Sequence, residues 1–474
     1  LRQSLGEGQL KKSRLALFSA LGATLLLSGV PAVAQSAARP NPSEITAQRD
    51  EALAYAAGLQ GYIYGYPALD YMRMMREQTT MGLDPKGVYA PFNAFYFEDK
   101  LAEPGGMFAG RGPNTSTIYF SGWLDLSNGP VTLDAPDTQG RYYALTFADL
   151  YSEVQHTGRR TTGTKAQKIL VTGPNWAGDV PSGVRVIRLN THWGYFLGRV
   201  FVDGPKDLPR AKALMRQFRI EGAVTDPTTL DLPLQADLAA ISAFKFINAF
   251  LRNNPRLPGE EALMAQFNQA GFGPKAVFDP SQLSEGARRG LERAVADGHA
   301  ILVRAALARP MYKSWSPLLN PQAQGPFGFN YLNRAVVEAN GILGNAAAES
   351  VYPSTLTDVN GDPLVGTRRY RLVFKAGQLP PNDAFWALNA YDLRTVDLIP
   401  NPLRRYMVSD RMSDLKYRAD GAMEIRIQRE APAERDVNWL PINDGPVFLT
   451  FRIYQPGEDV LNGRYVLPGV EPLP

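Results

Sequence analysis

The 474-residue chain contains no cysteine and only three histidines. The first absence excludes disulfides, thiolate metal sites and cysteine nucleophiles. The histidines, His156, His192 and His299, stand in three unrelated contexts without His-x-His or His-Glu-x-x-His spacing, which argues against a catalytic metal. No Asp-rich loop has the spacing of a calcium site, so no metal and no cofactor is expected. Gly-x-Ser-x-Gly is missing, which removes an α/β-hydrolase. Also missing is an apolar run with the length and purity of a permanent membrane span, about 20 residues.

The run that comes nearest, Leu15 to Val30, is interrupted by Ser19, Gly22, Thr24 and Ser28 and stops at Pro31. Lys11, Lys12 and Arg14 precede it, and Ala32-Val33-Ala34 and Gln35 follow. That order of basic, apolar and small residues reads as a secretory signal, residues 1–34, cleaved after Ala34. A periplasmic or secreted protein with no integral membrane segment is expected. The formal net charge of +4 is largely the leader's own. Removing its four basic residues and one acidic residue from 50 and 46 leaves 46 against 45. A near-neutral mature chain gives no electrostatic case for nucleic acid.

What is present is enough apolar sequence, 45%, for more than one core at this length. After a Pro-containing tether, a helical pattern starts at Ser43 and runs to Tyr62-Ile63-Tyr64-Gly65-Tyr66-Pro67, where glycine and proline predict a kink or break. From Pro91 to Val202 the pattern becomes short alternating runs separated by Gly, Pro, Asn and Asp. Strands are predicted over Ser116–Leu126, Val131–Leu133, Tyr142–Ala148, Lys168–Val171, Val184–Leu189 and Tyr195–Val202. Pro205 to Arg219 reads as a helix. Leu234–Leu251, Glu260–Ala270, Ser281–Ala308 and Tyr331–Ala339 have helical periodicity and strong helix formers. The strand pattern returns in Arg369–Phe374, Ala384–Tyr391, Met423–Ile427 and Val447–Tyr454. The alternation of Met423, Ile425 and Ile427 with Glu424, Arg426 and Gln428 predicts a sheet with one wet face. The expected fold is mainly β with substantial α: two jelly-roll-like β-sandwich domains, residues 35–220 and 346–474, joined by a helical insert, residues 221–345.

The densest chemistry lies between Gly140 and Gly163. Tyr143, Leu145 and Phe147 share one strand face. If the alternation continues, Asp149, Tyr151 and Glu153 follow on that face before a loop with His156, Arg159 and Arg160. Asp149 and Glu153 would be about 13 Å apart along a strand at roughly 3.3 Å per residue. That exceeds both the roughly 5 Å of a retaining glycosidase and the roughly 6.5 to 9.5 Å of an inverting one, and only a bend would rescue the pair. A metal-free arrangement fits better. Tyr151 or His156 would remove a proton while Arg159, Arg160 and Asn114 hold an anion, as β-elimination or hydrolysis of an activated bond requires. The competing reading is structural: the two arginines cap strand carbonyls or pair with Asp149 and Glu153. A second polar and aromatic concentration, Trp386, Asn389, Tyr391, Asn401, Arg404, Arg405 and Tyr406, suits a ligand, although Trp386 beside Phe385 also suits a core.

The chain resembles the paired bacterial domains of unknown function numbered 1254 and 1214. The N-terminal resemblance rests on Tyr62 to Pro67, Pro113-Asn114 with Thr117-Ile118-Tyr119, Trp123-Leu124-Asp125, Gly140-Arg141-Tyr142-Tyr143 and Gly158 to Gly163. The C-terminal one rests on Phe385-Trp386, Tyr391-Asp392, Asn401 with Arg405-Tyr406, Asp420-Gly421, Asn438-Trp439-Leu440-Pro441 and Arg452-Tyr454-Pro456. The resemblance implies two jelly-roll-like domains with helical additions, often exported, and no established reaction. Relatives read Pro-Asn-Ala-Asp-Thr where this chain has Pro113-Asn114-Thr115-Ser116-Thr117, so Ser116 stands in place of an acid.

The expected function is a metal-independent hydrolase or lyase acting on a small or oligomeric anionic compound. Asp149, Tyr151, His156 and Arg159 would be catalytic, and Asn114, Tyr119, Glu153, Arg160, Trp386 and Arg405 would bind ligand. The alternative is a non-catalytic periplasmic ligand-binding or envelope-associated protein. Structural assembly through sheet edges or the helical insert is a third reading, and homo-oligomerisation is left open.

Overall fold

The first helix, α1 (Pro42–Thr79), starts on a proline, carries Glu44 in its first turn and Arg76 in its last, as helix-end preferences favour. It passes through Pro67 without interruption, where the sequence predicted a break. The proline costs roughly 3 kcal/mol in an isolated helix. Here nearly every residue from Tyr62 to Met75 is buried, so packing outweighs local propensity. Arg334 donates from Nη2 to the carbonyl of Tyr64 at 3.1 Å, in the turn that the proline disturbs. Gly58 and Gly65 are glycines because a Cβ would stand 2.7 Å from Leu291 and from Ile247 respectively.

The structure, a computed structural model, describes residues 41–307, 313–319, 325–341 and 343–474. The predicted leader and most of the tether lie outside the described residues. Residues Thr46–Pro474 form one compact unit. Among the described residues no helix is long and apolar enough to cross a membrane.

Beyond α1 come β1 (Tyr96–Glu98), β2 (Thr117–Asp125), β3 (Val131–Ala135), β4 (Tyr143–Asp149), β5 (Val154–Gly158), α2 (Arg159–Thr162), β6 (Gln167–Thr172), β7 (Arg185–Arg188), β8 (Trp193–Phe201), α3 (Leu208–Met215) and β9 (Arg219–Glu221). They make a five-stranded sheet, β1-β2-β8-β4-β5, and a four-stranded sheet, β7-β6-β3-β9. Ile118, Phe120, Leu145, Phe147 and Phe196 of the first sheet share a core with Val131, Leu133, Ile169 and Val171 of the second. Helices α4 (Ala243–Asn253), α5 (Glu261–Gln269), α6 (Glu285–Leu307) and α7 (Tyr331–Gly341) follow. Their apolar side chains pack with α1 and with Tyr119, Trp123, Tyr195 and Leu197 from the other face of the five-stranded sheet. Both faces of β2, β4 and β8 are therefore buried.

The C-terminal part contributes β10 (Ser350–Val351), β11 (Ser354–Thr355), β12 (Arg369–Phe374), β13 (Asn382–Asp392), β14 (Asp397–Leu398), β15 (Met407–Ser409), β16 (Met423–Gln428), β17 (Asn438–Pro441), β18 (Val447–Pro456), α8 (Glu458–Leu461) and β19 (Glu471–Leu473). A six-stranded sheet has β18 and β13 at its centre, and a four-stranded one runs β17-β16-β12-β19. Trp386, Leu388, Leu449, Phe451 and Ile453 pack with Leu372, Phe374, Ile425 and Ile427 between them.

This corrects the jelly-roll expectation. The architecture is mixed α/β, with open sheets of four to six strands and none closed or strongly curled. The pairs β6–β7 and β16–β17 are parallel, whereas a jelly roll is built from antiparallel Greek keys. Alternation in sequence reports a strand and its faces, but not how strands connect. The predicted wet face of β16 is also corrected. Glu424 is fully buried, between Arg418 and Arg426, so ion pairing rather than solvent accounts for the polar alternation.

Candidate functional site

The predicted strand through Asp149 and Glu153 does not exist. β4 ends at Asp149, Ser152 takes a positive φ of 63°, and β5 returns antiparallel with Ala148 opposite Val154. Asp149 holds that loop. One carboxylate oxygen accepts from the N–H groups of Tyr151 (2.9 Å) and Glu153 (3.0 Å), and the other accepts from Asn190 Nδ2 (2.7 Å). Burial pushes its pKa up, and these donors pull it back in part. The Tyr151 hydroxyl donates to the Pro255 carbonyl at 2.8 Å, and its ring packs on Phe250 among the helices. Glu153 is half-buried, its pKa raised by burial and by Asp149.

Arg159 and Arg160, in α2, reach across to the C-terminal sheets. Arg159 Nη1 donates to the Asp383 carbonyl (2.5 Å) and to Gln455 Oε1 (2.9 Å). Arg160 Nε donates to Glu349 Oε2 at 2.7 Å, and Glu349 Oε1 accepts from the Tyr142 hydroxyl at 2.8 Å. These contacts tie the two β regions together. Gly158, just before them, has φ 144°, and a Cβ there would stand 2.6 Å from the Tyr143 carbonyl oxygen. Only glycine lets the chain turn into α2 at that distance.

The polar layer lies where one face of the five-stranded sheet meets one face of the six-stranded sheet. Register sets Arg199 of β8 opposite Tyr119 of β2 and Ala144 of β4, with Thr146 opposite His156. From the other side come Asn389 and Tyr391 of β13 and Arg452 and Tyr454 of β18. Tyr142 meets Phe385 and Tyr454 edge-on, at centroid separations of 5.4 and 5.7 Å, and Phe385 stacks on Tyr454 at 4.4 Å. Arg452 is satisfied: Nη1 donates to Asn389 Oδ1 (2.9 Å) and the Tyr391 hydroxyl (2.5 Å), and Nη2 donates to the Gly112 carbonyl (2.6 Å). Asn114 shapes the neighbouring turn, its Nδ2 donating to Thr117 Oγ1 (3.0 Å) and the Tyr119 hydroxyl (3.2 Å).

Arg199 is not satisfied. It is 5% exposed, and its Nε and Nη1 have no hydrogen-bond partner among the described residues. Burial pulls its pKa down, but the phenols of Tyr352, Tyr119, Tyr142 and Tyr454 more than offset this and hold the guanidinium charged. An unpaired buried ion costs on the order of several kcal/mol. His156 stands in the same field. Its Nε2 receives the backbone N–H of Ala346 at 3.2 Å, so the neutral ring carries its proton on Nδ1, which is buried without a partner. Burial first, then the charges of Arg199 and Arg160, push its pKa down to about 3. The Thr146 hydroxyl is also buried without a partner. Guanidinium N–H, imidazole N–H and hydroxyl all offer protons, and the imidazole lone pair is occupied.

This arrangement overturns the hydrolase expectation. His156 has no lone pair to take a proton, Tyr151 and Asp149 are engaged elsewhere, and no set of catalytic groups is assembled among the described residues. Among the described residues no group of three or more His, Asp or Glu could hold a metal ion. Of the predicted residues, the structure gathers His156, Asn114, Tyr119 and Arg160 around the layer. It does not bring in Trp386, stacked in the C-terminal core on Phe451 at 5.2 Å, or Arg405, whose Nη2 pairs with Asp414 at 3.0 Å. Sequence reasoning missed Arg199 and Arg452 as site residues. The available signal is a single arginine inside each of two apolar strands, Tyr195–Val202 and Val447–Tyr454. A separate open depression of about 390 Å³, lined by Arg76, Asp231, Asp237, Lys245 and their neighbours, includes none of the predicted site residues.

Comparison with known proteins adds the fold and the family. None of the curated proteins matches this chain. The VPA0106 protein from Vibrio parahaemolyticus has a similar structure, with a TM-score of 0.65 at 22% identity, covering 90% of this chain and 100% of that one. An uncharacterized protein from Burkholderia cenocepacia aligns with a TM-score of 0.44 at 11% identity, covering 90% and 94%. Residues 92–222 match the family described as protein of unknown function (DUF1254), and residues 349–458 match protein of unknown function (DUF1214). The two matches contribute the two faces of the polar layer, and the chain is a paired-domain DUF1254/DUF1214 protein.

Proposed function

We propose that the protein binds a small, acceptor-rich molecule in the layer between its N-terminal and C-terminal sheets, and that it holds this ligand without transforming it. The supporting observation is the buried guanidinium of Arg199 with two unpartnered nitrogens, together with the unpartnered Nδ1–H of His156 two strands away in the same sheet. Donors left unmet in a fold are costly, and a ligand supplying acceptors offsets that cost. Binding is favoured over turnover because the unpartnered nitrogens of Arg199 and His156 are donors and the imidazole lone pair is taken by the Ala346 N–H. The leader read in the sequence supports export, which makes the expected setting periplasmic or extracellular.

The test is to isolate the protein from its own host under non-denaturing conditions and examine it by native mass spectrometry. One small molecule per chain is expected, released unchanged on denaturation and absent from Thr146→Leu, which fills the layer with an apolar group. A ligand-free protein whose melting is unaffected by the host's small-molecule extract would overturn the reading. Catalytic depletion of a compound in that extract would overturn the non-catalytic part.

A further inference from the structure

We propose that the ligand is a linear dicarboxylate, with one carboxylate at Arg199 and the other drawn by the charge of Arg452. This rests on the binding reading above. Charge bookkeeping in the layer supports it. The carboxylate of Glu349 is taken by Arg160 and by the Tyr142 hydroxyl. Among the described residues, Arg199 and Arg452 form no ion pair with an acid. The groups that act most strongly on Arg199 are Tyr352, Tyr119, Tyr142 and Tyr454; on Arg452 they are Tyr391, Tyr454 and Tyr352. All are phenols, and none is a carboxylate.

Elsewhere this protein matches its part-buried arginines with acids: Arg73 meets Asp70 at 2.6 Å, and Arg141 meets Asp207 with Nη2 at 2.7 Å from Oδ1. Arg334, also fully buried, lies over the rings of Tyr64, Tyr331 and Tyr151 at 5.0, 5.1 and 5.6 Å and in the field of Asp149 and Glu153. Arg452 also lies over phenol rings, those of Tyr391 and Tyr352 at 5.4 and 5.9 Å, but among the described residues neither it nor Arg199 pairs with an acid, and burying like charges in one layer without counter-ions is unfavourable. The Arg452 guanidinium lies 5.9 Å from the Tyr352 ring, Tyr352 meets Tyr454 edge-on at 6.4 Å, and Tyr454 meets Tyr142, two residues from the Ala144 that stands opposite Arg199, so a row of phenol rings links the two arginine-bearing strands. Two anionic ends joined by a short chain fit that placement better than one compact, doubly charged group. The unpartnered donors of Arg199 and His156 suit carboxylate oxygens. The Asn345 amide, bonded through Nδ2 to the Ser350 and Tyr352 hydroxyls, forms part of the same wall.

The experiment is isothermal titration of the exhaustively dialysed full chain at fixed ionic strength. The probes are succinate, glutarate and adipate, against butyrate, pentanoate and hexanoate, with succinamide and inorganic phosphate as further arms. At least one dicarboxylate is expected to bind tenfold or more tightly than its monoacid of equal length and than phosphate, with succinamide silent. Arg199→Gln should weaken that dicarboxylate at least tenfold and Arg199→Lys less, while the exposed Arg429→Gln leaves it unchanged. If Arg199→Gln does not fold by circular dichroism, Tyr352→Phe, which removes a hydroxyl from the ring beneath Arg452, should weaken binding severalfold. Equal binding of mono- and dicarboxylates, tighter binding of phosphate, or no dicarboxylate binding would overturn the dicarboxylate assignment. The two failures separate cleanly. A monoacid or succinamide that binds wild type and is lost in Arg199→Gln and Thr146→Leu leaves the binding reading standing. Probes that bind wild type and both variants equally place the site elsewhere and remove both.

Discussion

Replacing Glu338 by glutamine should change how stability depends on pH. Helix α7 buries Glu338 completely and sets Oε2 3.2 Å from Ser152 Oγ. Burial, then the charge of Asp70, pushes its pKa up to about 8, while Arg111 and the hydroxyls of Tyr71 and Ser152 pull it back in part. Asp70 pairs with Arg73 at 2.6 Å, with Arg111 at 3.6 Å. A glutamate in the unfolded chain titrates near about 4.3. Between those values the folded state carries a proton that the unfolded state has lost, so stability falls as pH rises, by roughly 1.4 kcal/mol per pH unit.

His156 acts in the opposite direction. Its folded pKa of about 3 lies below an unfolded value of about 6.5. The unfolded state binds the extra proton in that interval, and stability rises with pH. From about 4.3 to 6.5 the two slopes cancel to first order. Between pH 6.5 and 8 the glutamate dominates, and after the tail of the histidine titration the net loss is roughly 1.3 kcal/mol. Denaturant titrations at pH 6.5, 7.25 and 8.0 and constant ionic strength should show that loss in wild type. Glu338→Gln keeps an acceptor for Ser152 and removes the ionisation, so its curve should be flat within about 0.5 kcal/mol. Parallel curves for the two proteins over this interval would refute the account, because they would mean that Glu338 does not hold a proton in the folded state.

Three further substitutions test separate parts of the fold. Arg160→Ala leaves the buried Glu349 carboxylate with only the Tyr142 hydroxyl. It should cost roughly 2 kcal/mol, below the range for a fully buried pair, because the arginine is 30% exposed; an unchanged denaturation midpoint would show that the pair does not join the two β regions. Trp386→Ala should cost about 3 to 5 kcal/mol as a core deletion, and a loss of ligand binding at unchanged stability would instead place the ring in a site. Gly65→Ala drives a methyl against Ile247, where a Cβ would stand 2.7 Å away, and should lower stability by about 1 to 3 kcal/mol, read as a shift in thermal midpoint.

The strands were legible in the sequence where alternation was strict. Tyr142–Ala148 was predicted against an observed Tyr143–Asp149, and Arg369–Phe374 coincided with β12. The helices of the middle region were legible for the same reason, because their apolar stripes are long. The turn at Ser152 was not, since nothing in Asp149-Leu150-Tyr151-Ser152-Glu153 requires a positive φ. Once the chain turns there, Asp149 becomes the cap of a loop and Tyr151 points among helices that lie about a hundred residues later in sequence. The helix through Pro67 was illegible because the packing that stabilises it comes from α4, α6 and Arg334. Connection topology was illegible as well: a parallel neighbour and an antiparallel one present the same alternation.

The polar layer shows why a local concentration of chemistry was a poor guide to the site. Adjacent titratable residues in Gly140–Gly163 are mostly consumed by their own surroundings: Arg160 by Glu349, Arg159 by Asp383 and Gln455, and Asp149 by the loop it caps. The donors that remain unmet belong to isolated residues, Arg199 in an otherwise apolar strand and His156 two strands away in the same sheet. A charge that apolar neighbours cannot satisfy must be compensated from outside its own element. In β18, Asn389, Tyr391 and Gly112 meet the hydrogen bonds of Arg452, although its charge stays uncompensated. In β8 even the hydrogen bonds are incomplete. A single cation in a doubly buried strand is therefore the sharper sequence signal, since loops can satisfy their charges locally and strands buried on both faces cannot.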